Sequence, residues 1–277
     1  MRWLILLAAP ALWGQGFEIS ADSIRQGGTI RLRGAAEAAR ARMGARTVPL
    51  FAGAGGERLG LMPVPVDHAT GRHALEFLGA DGAVLHSAAV HVLDGRFRKQ
   101  NITTAPSMRG LEPWPGEMEA VAALRNTVSE VRHWEEPFAA PAPGCMNSPF
   151  GVQRLHDGKP TGSYHRGVDQ RGPTGRPVRA VAAGVVRISR MFNVHGGTVG
   201  IDHGQGLTSI YIHMSKVGAR EGAMAKKGEV IGYIGSTGFS TGPHLHWGLH
   251  VNGVPVQPLE WVKLTPCGAA KKARGRR

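Results

Sequence analysis

Hydrophobic and polar residues alternate in short runs, broken by glycine, from residue 17 to about residue 102. Residues 29–33 and 73–77 alternate in this way, and residues 84–92 do so more loosely. A period of two is typical of strands that have one buried face. The pattern therefore predicts a small antiparallel β-sandwich over residues 17–102. Its scattered histidines have no carboxylate or cysteine at ligand spacing, which favours structural roles for them.

A second stretch of strand pattern follows Phe150, where glycine and valine become frequent and helix signals are absent. Turns and a long glycine-rich loop at 235–243 separate the runs. We predict a second all-β domain over residues 145–267. Its strand candidates are residues 177–181, 184–188, 198–203, 208–213, 230–234 and 244–251.

Between these stretches, residues 103–144 are proline-rich at both ends and contain one helical pattern. Hydrophobic residues three and four apart lie on one face of a helix. We predict a connecting helix at about 116–134 that packs against a neighbouring domain. The residues of its hydrophobic face are Val121, Leu124, Val128 and Val131.

The amino terminus has the layout of a cleaved signal peptide over residues 1–16. Arg2 is followed by an apolar run at 3–13 and by the small-x-small triplet Gly14-Gln15-Gly16. The run is too short to span a bilayer, which takes about 20 apolar residues, and no later segment is apolar enough to do so. We therefore expect an exported protein that works outside the cytoplasm.

The net charge is +13, and the basic tail at 268–277 carries five of the positive charges. Export would remove nucleic acid as a partner and leave anionic envelope polymers or lipid head groups. A solvated tail that keeps the protein in solution is the alternative.

Cys145 and Cys267 are the two cysteines of the chain, and they bracket the second predicted domain. An oxidising compartment permits such cysteines to pair. We expect a disulfide that ties the two ends of this domain together.

Eight of the thirteen histidines fall between His156 and His250, which makes the second domain the place to seek a metal. His165 and Asp169 lie four residues apart, with Gly167 between them, in a segment that we expect to be extended. Both side chains then share one face, where an imidazole nitrogen and a carboxylate oxygen can bind one ion.

A second cluster, His244-Leu245-His246, alternates on a predicted strand, so both rings point to the same face. Three protein ligands and a water are typical of catalytic zinc, whereas structural zinc is usually enclosed by four ligands, mostly cysteines. Two distant cysteines argue against a structural site.

A third element, Tyr211-Ile212-His213, lies at the end of a predicted strand. A neutral imidazole beside a metal can accept a proton and later return it to a leaving amine. We interpret Tyr211 as a packing residue and His203 as a structural histidine rather than a ligand. His250 shares a face with His246 and either lines the same groove or has a supporting or surface role.

The order of these motifs resembles the lysostaphin or LytM type of zinc endopeptidase. The similarity begins at Phe150-Gly151 and continues to His246. It includes His165-x-Gly167-x-Asp169, Gly175-x-Pro177-Val178-x-Ala180, Gly184-x-Val186, Tyr211-x-His213-Met214-Ser215, Gly228-x-x-Ile231-Gly232 and the run from Gly235 to His246.

The resemblance implies that His165, Asp169 and His246 hold Zn²⁺. It also implies that His213 and His244 flank the reacting water and stabilise the oxyanion. The implied fold is a mainly β protein, with a curved antiparallel-sheet peptidase domain after the sandwich and connecting helix. The implied activity is hydrolysis of peptide bonds in peptidoglycan stem peptides or cross-links, and the implied location is the periplasm or cell envelope of a bacterium.

One departure from the family pattern follows the last ligand. The family usually shows a larger polar residue after the aromatic one, but here Trp247 precedes Gly248, and His250 stands where a charged residue is common. The metal motif is unaffected, so the departure bears on substrate preference.

Two alternatives to the peptidoglycan hydrolase are a non-catalytic envelope protein that binds the wall or activates a separate hydrolase, and an exported protease that acts on other proteins.

Overall fold

The structure is a computed structural model that describes residues 16–102, 110–156 and 158–268. Apart from Gly16 and Gly268, the predicted signal peptide and basic tail lie outside the described residues. Strands dominate the described chain, which has a single α-helix, so the prediction of a mainly β fold is confirmed. Among the described residues, no helix has the length and apolar character needed to cross a membrane.

The amino-terminal part consists of two sheets packed against each other. One sheet has the order β1-β3-β7-β6, and the other has the order β2-β9-β8-β4-β5, with β2 parallel to β9 and the remaining pairs antiparallel. Ile30 and Met62 from the first sheet meet Leu75, Phe77 and Val90 from the second in a fully buried core. The strands are β1 (Glu18–Ile19), β2 (Ser23–Arg25), β3 (Thr29–Gly34), β4 (Arg40–Met43), β5 (Arg46–Pro49), β6 (Phe51–Ala52), β7 (Arg58–Pro63), β8 (Gly71–Leu78) and β9 (Val84–Leu93).

The connecting helix α1 spans Glu117–Arg125, so the prediction of a helix at 116–134 was wrong in its length. Val121 and Leu124 pack on the large sheet, as expected, but Val128 and Val131 are exposed. The helix ends at Arg125 because the backbone that follows hydrogen-bonds to another element.

That element is the hairpin around Gly204. The amide of Gln205 donates to the Ser129 carbonyl at 2.7 Å, and the His133 amide donates to the His203 carbonyl at 2.9 Å. The Ser129 hydroxyl also donates to the buried carboxylate of Asp202. The Asn126 and Thr127 amides still donate to helix carbonyls, and from Ser129 onward the hairpin supplies the partners that a longer helix would have provided.

The carboxy-terminal part is built on a large antiparallel sheet with the order β11-β14-β22-β18-β17-β16-β20, to which β23 is added beside β22. Smaller sheets have the orders β15-β21-β19 and β10-β12-β13. The elements are β10 (Lys99–Ile102), β11 (Met146–Ser148), β12 (Gln153–His156), β13 (Lys159–Tyr164), β14 (Val168–Arg171), β15 (Pro177–Arg179), β16 (Gly184–Met191), β17 (Gly197–Gly204), β18 (Leu207–Met214), β19 (Lys216–Val217), β20 (Met224–Ala225), β21 (Val230–Tyr233), β22 (His244–Val251), β23 (Val254–Val256) and a 3₁₀ helix at Pro258–Glu260.

Two features tie this part together. Cys145 and Cys267 form a disulfide with a Cα–Cα distance of 4.8 Å, as expected. Strand β10 lies next to the sandwich in sequence, but it pairs in parallel with β12. Strand β10 falls within the range predicted for the sandwich, but it belongs to a sheet of the carboxy-terminal part. The domain boundaries proposed from sequence stay a prediction.

Candidate metal centre

The register of two neighbouring strands brings three of the predicted residues together. Asp169 on β14 lies opposite His246 on β22, and His165 precedes β14. Asp169 Oδ1 is 2.8 Å from His246 Nδ1 and 3.1 Å from His165 Nε2, and the two ring nitrogens are 2.9 Å apart. One ligand atom from each residue lies within 4.8 Å of the others. Two imidazoles and a carboxylate therefore converge on one point.

His165 is oriented by the loop before β12. Its ring is 2% exposed, and Nδ1 lies 2.8 Å from the Pro149 carbonyl. Because a carbonyl can only accept, Nδ1 carries the proton and donates it there. The lone pair of Nε2 is left facing Asp169 and His246. Such a carbonyl partner fixes the tautomer of a metal-binding histidine.

Asp169 is ionised in this setting. Burial by itself opposes its charge, but hydrogen bonds and charge interactions with His165 and His246 outweigh that effect and hold the pKa of Asp169 well below its ordinary value. The pKa of His246 is lowered, and burial of the ring is the largest cause. These groups bind a cation when the ring nitrogens are deprotonated and the carboxylate is ionised.

Gly167 allows β14 to approach β22 closely. A Cβ atom at this position would lie 2.3 Å from the Trp247 carbonyl oxygen and 2.8 Å from Nε2 of His246. Both distances are well inside van der Waals contact. Glycine at this position of the motif therefore gives the His246 ring its room.

His213 is the penultimate residue of β18 and has a backbone conformation that residues other than glycine rarely adopt. Its φ is 65°, and its amide donates to the His195 carbonyl at 2.9 Å. Nδ1 donates to the Thr237 carbonyl at 2.9 Å, so Nε2 has no proton in the neutral ring. Burial, aided by the neighbouring rings of His246 and His244, lowers the pKa of His213 to about 3.

His244 stands at the start of β22, across from His213. Its Nδ1 donates to the Gly242 carbonyl at 2.7 Å, and its Nε2 lies 3.8 Å from Asp169 Oδ1. The ring centroids of His213 and His244 are 5.1 Å apart. Both imidazoles therefore present an unprotonated Nε2 beside the three-residue cluster, where they can accept and return a proton.

A support for His213 that sequence reasoning missed comes from the connecting helix. The buried carboxylate of Glu117 accepts hydrogen bonds from the amides of Asn193, Val194 and His195, and it lies 2.7 Å from His195 Nδ1. The carbonyl of His195 is the acceptor for the His213 amide. A lone acid at the start of a helix gives no sequence signal for such a role.

The remaining candidates lie elsewhere. Tyr211 and His203 are fully buried in a shared network: His203 Nδ1 donates to the Ala183 carbonyl, and its Nε2 meets Ser209 at 2.8 Å. Both residues therefore lie outside the cluster around Asp169, and their packing and structural roles stay predictions. His250 is buried and is not among the groove-lining residues. Within the described chain, the cluster around Asp169 is the one candidate metal group, and the sandwich histidines are outside it.

Comparison with known proteins agrees with this geometry. The model of peptidase family M23 matches residues 163–258, which include all five histidine and aspartate positions of the site. A DD-carboxypeptidase/endopeptidase, Mpg, of Neisseria meningitidis is 43% identical over 121 residues, which are 44% of this chain and 28% of that protein. The peptidoglycan DD-endopeptidase ShyA of Vibrio cholerae is 37% identical over 115 residues, 42% of this chain and 27% of that protein. The chain thus spans little more than a quarter of the length of these relatives.

The similarity extends beyond the matched residues in one solved structure. A crystal structure from Pseudomonas aeruginosa, described as a candidate M23 peptidase, superimposes with a TM-score of 0.62 at 27% identity. The superposition covers 80% of this chain and 86% of that one. The shared fold therefore includes much more than residues 163–258.

Proposed function

Residues 163–258 form a domain of peptidase family M23, and from this premise we propose that the protein is an exported zinc-dependent endopeptidase that hydrolyses peptide bonds in peptidoglycan. The observation that carries the proposal is the convergence of His165, Asp169 and His246, with their ligand atoms within 4.8 Å of one another. Two imidazoles and a carboxylate are a ligand set of catalytic zinc, which keeps a position open for solvent or substrate. The donor set also lacks the thiolates of most structural zinc sites.

The three residues fit the ion in chemistry as well as in number. His165 offers Nε2 because its Nδ1 is committed to the Pro149 carbonyl, and Asp169 offers an ionised carboxylate. When bound, Zn²⁺ would lower the pKa of a coordinated water and polarise a carbonyl group as a Lewis acid.

His213 and His244 would manage the proton. Each donates Nδ1–H to a loop carbonyl, so each can accept a proton at Nε2 and then act as a donor. His213 is held neutral by burial, whereas the His244 side chain is 16% exposed at the groove. We assign the proton transfer from the attacking water to the leaving amine to His244. His213, with its unprotonated Nε2, accepts a hydrogen bond from the water and orients it, whereas the protonated His244 stabilises the developing oxyanion.

Three observations support peptidoglycan as substrate and export as the route to it. The relatives from Neisseria and Vibrio are named as peptidases of the DD type, and the Vibrio protein is named for peptidoglycan. The disulfide between Cys145 and Cys267 fits an oxidising compartment, as does the signal-like segment at the amino terminus. The basic tail would add electrostatic contact with anionic envelope polymers.

Digestion of purified sacculi tests the proposal. We expect the zinc-loaded protein to solubilise the sacculi and to expose new amino groups at the cut peptide bonds, to lose this activity with a chelator and to regain it with Zn²⁺. His244→Ala should retain zinc and lose at least about a hundredfold in rate, which is within the range of general acid–base catalysis. His91→Ala, an exposed change in the sandwich, is the control.

The same experiment separates the alternatives. A protein that binds sacculi but releases nothing, and whose His246→Ala variant still complements a deletion, would be a non-catalytic wall-binding protein. Cleavage of a glycine-rich protein without any release from sacculi would identify a protease of other substrates.

A further inference from the structure

The groove at the metal centre has one wall that comes from outside the M23 match. Strand β10 and the preceding Arg98 line a groove of about 990 Å³ together with Asp169, His213, His244 and His246. Phe97 fastens this segment, since its ring packs against Phe150 with centroids 6.2 Å apart. Gly151 leaves room for it, because a Cβ there would lie 2.1 Å from the Phe97 ring. The wall is therefore a packed part of the site.

The charge of the groove is strongly one-sided. Four basic side chains line it, from Arg98, Lys99, Arg154 and Arg171, while Asp169 is the one acid among its lining residues. The carboxylate of Asp169 is already committed to His165 and His246. A concave site lined by one sign of charge raises the local concentration of ligands of the opposite sign. The groove therefore favours an anionic ligand.

Arg171 is the cation closest in register to the proposed chemistry. It pairs with His244 across β14 and β22, two pairs along from Asp169 and His246. Residues two apart on a strand share a face, and opposed Cβ atoms lie about 4.5–5.5 Å apart. Arg171 thus projects from the same face as Asp169, beside His244.

The guanidinium of Arg171 is available. The residue is exposed, and within residues 16–102, 110–156 and 158–268 its side chain has no hydrogen bond or ion pair to another side chain or to the backbone. Arg187, in contrast, is bound to Asp202 at 2.9 Å, and Arg176 donates to the Pro143 carbonyl. A free arginine on the face of the catalytic residues is arranged to bind a group of the substrate.

We propose that the groove selects peptides with a free carboxylate next to the scissile bond, and that Arg171 binds this carboxylate, with Lys99 on the β10 wall as a second cation. This inference rests on the proposed peptidase function and names its substrate class. Guanidinium and carboxylate form paired, charge-assisted hydrogen bonds with a fixed geometry. Arg171 is accordingly a specificity-determining residue, and its loss should affect acidic and amidated substrates differently.

The experiment compares two substrates on four proteins. Purified muropeptide dimers with free carboxylates are tested beside the same dimers after conversion of their carboxylates to primary amides. The zinc-loaded full chain is compared with Arg171→Gln, Lys99→Gln and, as a control, Arg220→Gln, which removes an exposed arginine that does not line the groove.

For the unchanged protein we expect kcat/KM to favour the acid over the amide about tenfold, which is typical of one hydrogen-bonded charge pair. Arg171→Gln should hydrolyse both dimers at nearly the same rate, mainly through a higher KM for the acid. Lys99→Gln should reduce the preference in part, and Arg220→Gln should keep it. Equal rates of the unchanged protein on both dimers, or an undiminished preference in Arg171→Gln, would overturn the inference.

Binding of fluorescently labelled dimers to the metal-free full chain gives a second readout that does not depend on hydrolysis. We expect tighter binding of the acid, lost in Arg171→Gln and weakened by added salt. If binding shows this pattern while neither dimer is cut by the zinc-loaded protein, the proposed hydrolysis fails and the carboxylate site stands. If binding shows no dependence on Arg171, the carboxylate site is wrong whatever the activity.

Discussion

Asp169 and His246 lie directly opposite each other in the antiparallel pair of β14 and β22, and their side chains meet with Oδ1 2.8 Å from Nδ1. Residues that face each other in this way share one side of the sheet. A slip of one residue would move one partner to the core side. Leu245 and Trp247, which flank His246, are fully buried there and hold the register.

The first prediction concerns Asp169. Replacing it with Asn should reduce the zinc content from about one ion per chain to well below half an ion per chain. A catalytic zinc has only three protein ligands, and the Asn amide is a poor substitute for the ionised carboxylate. Metal analysis of the purified protein measures the change. Asp22→Asn, an exposed aspartate of the sandwich, should keep the full ion. A zinc content in Asp169→Asn equal to that of the unchanged protein would contradict the assignment of this ligand.

The second prediction concerns Glu117. Changing it to Gln would turn an NH₂ group towards the backbone amides of residues 193–195, which now donate to the carboxylate. We expect a loss of about 2 kcal/mol in unfolding free energy, since hydrogen bonds to charged groups contribute about 1.5–3 kcal/mol. Peptidase activity should also fall, because the His195 carbonyl orients His213. Urea unfolding and sacculus digestion measure the two effects.

Glu119 provides the matched control for this helix. Glu119 lies two residues after Glu117 and is exposed. The unfolding free energy of Glu119→Gln should therefore stay within about 0.5 kcal/mol of that of the unchanged protein. If both variants behave alike in stability and activity, the carboxylate of Glu117 has no special role.

The metal centre could be predicted from the sequence because its residues follow local rules. His244 and His246 alternate on a strand whose bounds, His244–Val251, agree with the predicted run. His165 and Asp169 come from one short segment. What the pattern could not supply was the register that joins β14 to β22, and the resemblance to known zinc peptidases supplied the grouping. The metal ligation itself stays a prediction.

The parts that escaped prediction depend on distant contacts. The helix pattern of Val121, Leu124, Val128 and Val131 continues past Arg125, but the chain leaves the helix because the hairpin around Gly204 offers other hydrogen bonds. Strand β10 gave no alternating pattern, since its first three residues are all polar, and its partner β12 lies in a distant part of the sequence. Tertiary partners of this kind override local propensity and are invisible in a single sequence.

The third prediction concerns the disulfide. Cys145→Ser combined with Cys267→Ser should lower the unfolding free energy by about 2–5 kcal/mol, because the bridge closes a long loop in the unfolded chain. The native ends should stay together, since Met146 donates to the Thr265 carbonyl and Cys267 to the Met146 carbonyl. Urea unfolding of the variant should match that of the unchanged protein under reducing conditions. An oxidised protein no more stable than the variant would contradict this account.

The last prediction is a pH dependence that originates in His203. Burial lowers the pKa of this residue to about 4, against which the Ala183 carbonyl and Asp202 act only in part. The ordinary pKa in an unfolded chain is about 6.5. Between these values the unfolded chain binds a proton at this position and the folded chain does not. The unfolding free energy therefore rises with pH in this window. The contribution linked to His203 is fully present above about pH 6.5 and is lost as the pH falls towards 4.

The shift corresponds to roughly 3 kcal/mol between pH 4 and pH 7. His203→Gln removes the titrating group, so the variant should show a shallower loss of unfolding free energy on acidification, although it is less stable at pH 7. Other buried histidines, such as His213 and His250, leave a residual slope. Urea unfolding at a series of pH values, with His91→Gln as the exposed control, measures the difference. Parallel pH profiles for the unchanged protein and His203→Gln would exclude His203 as the source, because a neutral side chain in its place cannot take up the proton that drives the slope.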